Sequence, residues 1–176
     1  MLQPLNRRTW AVRGSRPPQI VSQRHDRLSV IGSLSVSPRR QHIHPAFRVH
    51  DHNVRTADML RYLYALHRQH RSRLIVVLDR LNVHRAAIKR LQARRINWLE
   101  VEWLPAYAPE LNPVEPWWSH AKYSALANFV PDDVDHLRDA VIDAVGDTHF
   151  NRSLLRSFFE AAQLTLTTAH QRRSGE

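Results

Sequence analysis

Five consecutive apolar residues, Leu74-Ile75-Val76-Val77-Leu78, stop on a carboxylate, Asp79. A run this short and this uniformly apolar fits a strand in the middle of a covered sheet, with other elements against both faces. Val83 to Arg94 follows, with Val83, Ala87 and Leu91 at helical spacing, and Trp98 to Leu104 is a second extended run. Strand, helix and strand at this spacing describe a parallel crossover unit. That unit sets the fold class as α/β. It also puts Asp79 at the carboxyl end of a strand, where open sheets present reactive groups.

Upstream, Leu28 to Val36 and Ile43 to Val49 read as a hairpin about Ser37-Pro38-Arg39-Arg40, with Leu28, Val30, Leu34 and Val36 on one face. Asn53 or Thr56 is expected to cap a helix running to about Gln69, with Met59, Leu60, Leu63 and Leu66 as its buried stripe. Residues 1–20 contain Gly14 and Pro17-Pro18 and read as irregular. Downstream, Asn112 is a good cap and Pro113 a good first residue for a helix to about Leu126. Glu115 then falls in the first turn, where the helix dipole favours an anion. Pro116 removes an early backbone donor and is expected to shift or distort that turn. Two more helical stripes follow, Val134, Leu137, Val141 and Ala144, then Leu154, Leu155, Phe158 and Phe159. The organisation is one domain over residues 1–165 and a polar tail over 166–176, without internal repeats.

Charge speaks to the partner. The net charge is +10, and all the basic residues but Lys89 and Lys122 are arginine. A basic domain points to a polyanion, and the guanidinium fork matches phosphate. A coding bias toward arginine is the other reading of the same composition. The absence of cysteine excludes disulfides and thiolate metal sites. The N-terminus lacks the apolar core of a signal peptide, and no run approaches the roughly 20 apolar residues of a membrane span. A cytoplasmic protein is the expectation.

Asp79 and Glu115 carry the chemistry. Carboxylates on the ends of rigid elements suit Mg²⁺, which takes hard oxygen ligands and leaves room for substrate phosphate and water. In two-metal phosphoryl chemistry the ions lie ~3.5–4 Å apart, so a carboxylate must bridge them. The plainer reading makes Asp79 a helix cap and Glu115 a dipole-matched first-turn residue. The pairs His42/His44 and His50/His52 each place two imidazoles on one strand face. With no cysteine and no third or fourth ligand in view, polar edge-strand residues are the better reading of them than zinc ligands. The tryptophans read as packing, with Trp103 and Trp118 on core-facing patterns.

Leu78-Asp79-Arg80-Leu81-Asn82-Val83-His84-Arg85 resembles the second-aspartate motif of DDE transposases. Leu104-Pro105-Ala106-Tyr107-Ala108-Pro109-Glu110-Leu111-Asn112-Pro113-Val114-Glu115, followed by Trp118, resembles their terminal motif. Positions 80–114 separate the two acids, a gap similar to that of bacterial insertion-sequence transposases related to the mariner superfamily. Arg8-Thr9-Trp10-Ala11-Val12-Arg13-Gly14 resembles the block that follows the first catalytic strand in that group.

The resemblance implies an RNase H-like fold, a mixed sheet with flanking helices. It implies cleavage at transposon ends and strand transfer into target DNA with two Mg²⁺ or Mn²⁺ ions. Asp79 carries over as the second catalytic acid and metal ligand, and Glu115 as the third. Asn82, His84 and Asn112 match motif positions and are expected to shape the site, with His84 equally readable as a surface residue of its helix. Tyr107, between the two acids, is the aromatic best placed to meet DNA, and Lys122 is a further candidate. DNA is the expected partner, beside a second copy or an intact transposase, in a nucleoid-associated setting.

The family pattern opens with an aspartate on a strand ahead of the Arg-Thr-Trp block, whereas this sequence begins at Met1-Leu2-Gln3-Pro4. The expectation is therefore a domain whose first, central strand is missing or incomplete, inactive on its own. Its two halves would close directly onto each other, or it would be marginally folded. Asp26 and Asp51 are the acids available as substitutes, and neither is placed by the family pattern. The rival reading is a non-catalytic basic protein that binds DNA or inhibits a transposase. A different RNase H-like nuclease, such as a resolvase, fits the terminal motif less well.

Overall fold

The computed structural model describes Arg13, residues 28–127 and residues 129–166. Strands β1 (Ser29–Val36) and β2 (Ile43–His50) pair antiparallel from Ser29↔His50 to Val36↔Ile43. Helix α1 (Thr56–His70) leads to β3 (Leu74–Leu78), and α2 (Asn82–Ala93) leads to β4 (Leu99–Trp103). Strands β3 and β4 pair in parallel, Leu74↔Leu99 to Leu78↔Trp103, as the crossover unit requires. Helices α3 (Val114–His120), α4 (Val134–Gly146) and α5 (Arg152–Ala161) complete the order. No helix among the described residues is long and apolar enough to cross a membrane.

The hairpin separates two hydrophobic clusters because its side chains alternate. Leu28, Val30 and Leu34 join Trp117, Leu137, Val141, Leu155 and Phe158 on the side of α3, α4 and α5. Ile31 faces the opposite way and joins Met59, Leu63, Leu66, Leu78, Ala87, Ile88 and Leu91. Leu63 is fully buried there, and truncating such a leucine to alanine costs about 2–5 kcal/mol. Pro45 sits within β2 opposite Leu34, and its missing N–H fits a strand with one open edge.

Helix α1 is bonded to both strands of the hairpin. The Tyr62 hydroxyl donates to the Ala46 carbonyl of β2 at 2.7 Å and lies 2.8 Å from Ser33 Oγ of β1. Burial pushes the Tyr62 phenol up to about 12. The helix is capped at Arg55 rather than at Asn53 or Thr56. Asp58, in the third helical position, reaches back to accept the Arg55 N–H at 2.9 Å. Its last turn closes on Arg71 in the left-handed region, whose N–H meets the His67 carbonyl at 2.9 Å.

Three expectations need correction. Strand β3 is not covered on both faces: Ile75 is 68% exposed and Val77 57%, opposite Glu100 and Glu102 of β4. Helices α3 to α5 pack on the hairpin instead, which leaves that face of β3 open. The helix expected from Asn112 to Leu126 is shorter. It starts one residue later, with Pro113 as the cap, so Pro116 falls in the first turn where its missing N–H has no intrahelical partner to lose. From Ala121 to Ala125 it widens into a π turn, closed by the Leu126 N–H on the Ala121 carbonyl at 3.0 Å. Finally, the hairpin and the β3–β4 pair form two sheets among the described residues. The first-strand expectation, the Arg8–Gly14 block apart from Arg13, Asp26 and positions 167–176 lie outside the described residues.

Candidate active site

Asp79 follows the last residue of β3, beside the point where the chain leaves β4. The Leu104 N–H donates to the Leu78 carbonyl at 2.8 Å, extending the ladder by one step. Arg80 Nε adds a bond to the Leu104 carbonyl at 3.3 Å. The segment that leads from Leu104 to Glu115 is thus anchored next to Asp79 at its start.

The Asp79 carboxylate is held on one oxygen. Oδ1 accepts the Leu81 N–H at 3.1 Å and lies 2.5 Å from His84 Nδ1, whose N–H donates to it. His84 stands in the first turn of α2 and is 19% exposed, so it is a fixed neighbour of Asp79 rather than a solvated residue. Among the described residues, Oδ2 has no hydrogen-bond partner, and the carboxylate is 39% exposed. One oxygen is therefore oriented by the protein, and among the described residues the other is not engaged.

Glu115 is exposed in the first turn of α3. Asn112 sets where that turn begins: its side-chain oxygen accepts the Val114 N–H at 3.2 Å and its carbonyl accepts the Glu115 N–H at 3.0 Å. A short turn, Pro109–Leu111, precedes it. Trp117 then anchors the helix. Its side chain is fully buried, and its indole N–H donates to Thr148 Oγ1 at 2.9 Å. Trp118 stacks on it with ring centroids 4.9 Å apart and covers the bare backbone of Gly32, where a Cβ would lie 2.5 Å from Trp118 Cζ2.

The remaining sequence-predicted residues divide. The Asn82 side-chain oxygen accepts from Arg85 Nη2 at 2.6 Å, and no bond joins it to Asp79 among the described residues. Tyr107 projects fully into solvent from a backbone φ of 59°. Lys122 lies in the π turn, half-buried. Asp51 follows β2, and its Oδ1 is bonded to His52 Nδ1 at 2.8 Å. Sequence reasoning passed over Trp117, although Val114, Trp117 and Ala121 stand at helical spacing and mark it as the inward tryptophan of the pair.

Asp79 at the end of β3 and Glu115 in the first turn of α3 are each a carboxylate on a rigid element, the kind of oxygen donor a hard divalent ion takes. Among the described residues, neither Asp79 nor Glu115 belongs to a group of three or more His, Asp and Glu ligand atoms lying within 4.8 Å of one another.

A protein-family model described as DDE superfamily endonuclease matches residues 1–138. The chain is similar in fold to a chain in the crystal structure of the Mos1 Strand Transfer Complex, with a TM-score of 0.57 and 16% identity. The match covers 92% of this chain and 47% of that one, so the chain spans about half the length of that structural relative. The likeness agrees with the RNase H-like class expected from the sequence. No curated protein matches the chain.

Proposed function

The chain belongs to the DDE superfamily of endonucleases, and from that premise we propose that it acts in DNA transposition, with Asp79 and Glu115 as ligands for Mg²⁺ or Mn²⁺. The observation that carries this reading is Asp79 at the end of β3, with Oδ1 held by Leu81 and His84 and Oδ2 open. Bound divalent ions would supply Lewis acidity at the scissile phosphate and activate water or a 3′-hydroxyl. The protein's own part is orientation. His84 and the Leu81 N–H fix the plane of the Asp79 carboxylate, and Asn112 sets the turn that carries Glu115.

DNA is the substrate class, as transposon ends and target, and the net charge of +10 favours it. The likeness to a chain from a strand transfer complex supports the same reading. The finer assignment is to a bacterial insertion-sequence enzyme of the mariner-related group, acting as a homo-oligomer or with an intact transposase. A second reading is a basic chain that binds DNA without cutting it. It is favoured by the described residues offering no group of three His, Asp or Glu ligands that includes Asp79 or Glu115.

Mn²⁺ binding and plasmid nicking, measured together on the full chain, test both. Binding weakened at least about tenfold in Asp79→Asn and in Glu115→Gln supports the metal site. Nicking abolished by the same changes supports the enzyme. Salt-sensitive DNA binding without nicking supports the second reading, and Mn²⁺ binding indifferent to both substitutions overturns the site.

A further inference from the structure

The carboxyl end of β2 and the first turn of α1 bring together His50, His52 and Asp58, with a ligand atom from each lying within 4.8 Å of the others. The three are part-buried, part-buried and buried in that order. Among the described residues, His50 Nε2 is buried and has no hydrogen-bond partner. An orphaned imidazole nitrogen carries a desolvation cost that a protein normally relieves with a partner. His52 Nε2 lies 3.1 Å from Asp58 Oδ2, and the His50 and His52 rings are 5.2 Å apart. Asp58 is 4% exposed and held in place, Oδ2 by the Arg55 N–H and Oδ1 by Arg61 Nη1 at 3.1 Å.

We propose that His50, His52 and Asp58 form a binding site for a zinc-class divalent cation, distinct from the Asp79 and Glu115 pair. The protein ligands are His50 Nε2, His52 Nε2 and Asp58 Oδ2, with a fourth place for water. Two imidazoles and one carboxylate are a donor set that zinc accepts and magnesium does not favour. With metal–ligand bonds of about 2.1 Å, the edge of a tetrahedral site is about 3.4 Å, close to the His52–Asp58 separation. The neighbour beyond the ligands also fits. Asp51 Oδ1 lies 2.8 Å from His52 Nδ1 and holds the ring with Nε2 turned inward, the carboxylate–histidine–metal arrangement that orients such ligands. The ion would supply the partner His50 lacks and would tie the end of β2 to the start of α1.

The test uses the full chain, stripped with chelator and titrated with Zn²⁺ alone, read by calorimetry and elemental analysis. The expected result is one saturable Zn²⁺ per chain, weakened at least about tenfold in His50→Gln and in His52→Gln with unchanged circular dichroism. His52 is 39% exposed, so its variant keeps the test decisive if His50→Gln misfolds. Binding is expected to persist in His44→Gln and in Asp79→Asn, which separates this site from the other histidines and from the acid pair. Co²⁺ in place of Zn²⁺ should show four-coordinate visible absorption that His52→Gln abolishes. No saturable binding, affinity unchanged in both histidine variants, or loss in Asp79→Asn would overturn the site. Failure of Asp79 and Glu115 to bind Mn²⁺ would leave it standing.

Discussion

The His84 imidazole donates to Asp79 Oδ1 across 2.5 Å, spanning the end of β3 and the first turn of α2. The bond fixes the carboxylate plane without consuming its second oxygen. In the proposed site His84 is therefore a positioning residue. His84→Ala should weaken Mn²⁺ binding by about 10–100-fold, the usual effect of removing a partner that orients a metal ligand. His84→Asn, which keeps a side-chain donor, should recover part of the loss. Calorimetric titration of the three chains checks this, and equal affinities would remove His84 from the site.

Gly32 is the place where the hairpin accepts the tryptophan of the terminal motif. A Cβ there would sit 2.5 Å from Trp118 Cζ2 and 2.7 Å from Cη2. Trp118 cannot retreat easily, because it is stacked on a fully buried Trp117. Gly32→Ala should destabilise the fold by about 1–3 kcal/mol, the range for overpacking a filled core. Urea unfolding gives the value directly, and a midpoint equal to that of the parent chain would show that the ring moves freely.

The parallel unit was legible because period alone defines it: an apolar run, a helical stripe and a second run leave little choice of connection. The hairpin was legible for the same reason. Helix starts were harder to read. At α1 the capping group is Asp58, three positions inside the helix, and it outcompetes Asn53 and Thr56, which have the right chemistry but not the bond. Pro116 marked a disturbance without saying which way the turn would move. The exposed face of β3 was not legible, since an apolar strand says that cover is wanted and not where the later helices pack. Of the site, the acids and His84 stood in the motif. The His50, His52 and Asp58 group did not, because its third member lies on the next element and only the fold brings it in.

Trp117 and Thr148 make a buried pair whose loss is easy to isolate. Thr148 Oγ1 accepts the indole N–H at 2.9 Å and itself donates to the Val145 carbonyl at 2.6 Å. Thr148→Val keeps the shape and leaves both partners unsatisfied in a site only 2% exposed. The expected cost is about 1–3 kcal/mol. Thr148→Ser keeps the hydroxyl and should lose less. Thermal unfolding of the two variants gives the comparison, and a valine variant as stable as the serine one would show that the hydroxyl is dispensable.

His44 gives a pH dependence whose sign can be stated. Partial desolvation, then the nearby His70, His42 and His149, hold its imidazole below the ordinary value of 6.5. Arg152 and Arg156 of α5 line the same cavity of about 350 Å³, adding positive charge on that side. A lowered pKa means that the folded state binds this proton less readily than the unfolded state. This contribution therefore increases stability as pH rises through the region of 6.5 and is lost as pH falls below it. Urea midpoints between about pH 5.5 and about 7.5 should rise more steeply in the parent chain than in His44→Gln. Identical slopes would mean that His44 titrates alike in both states.

Tyr107 separates DNA contact from folding. Its ring is fully exposed in the segment between Leu104 and Glu115, and its backbone holds a φ of 59°, a conformation that a tyrosine adopts at some cost. An exposed ring on a strained turn contributes nothing to the core, yet a nucleobase can stack on it. Such stacking is worth about 1–3 kcal/mol per base. Tyr107→Ala should then lower affinity for DNA by about 5- to 150-fold at fixed salt, with no change in Tm. Tyr107→Gly removes the same ring and relaxes the backbone, so it should lose the same affinity with a Tm no lower than that of the alanine variant. If DNA affinity survives both changes, the aromatic contact lies elsewhere and the arginines carry the binding alone.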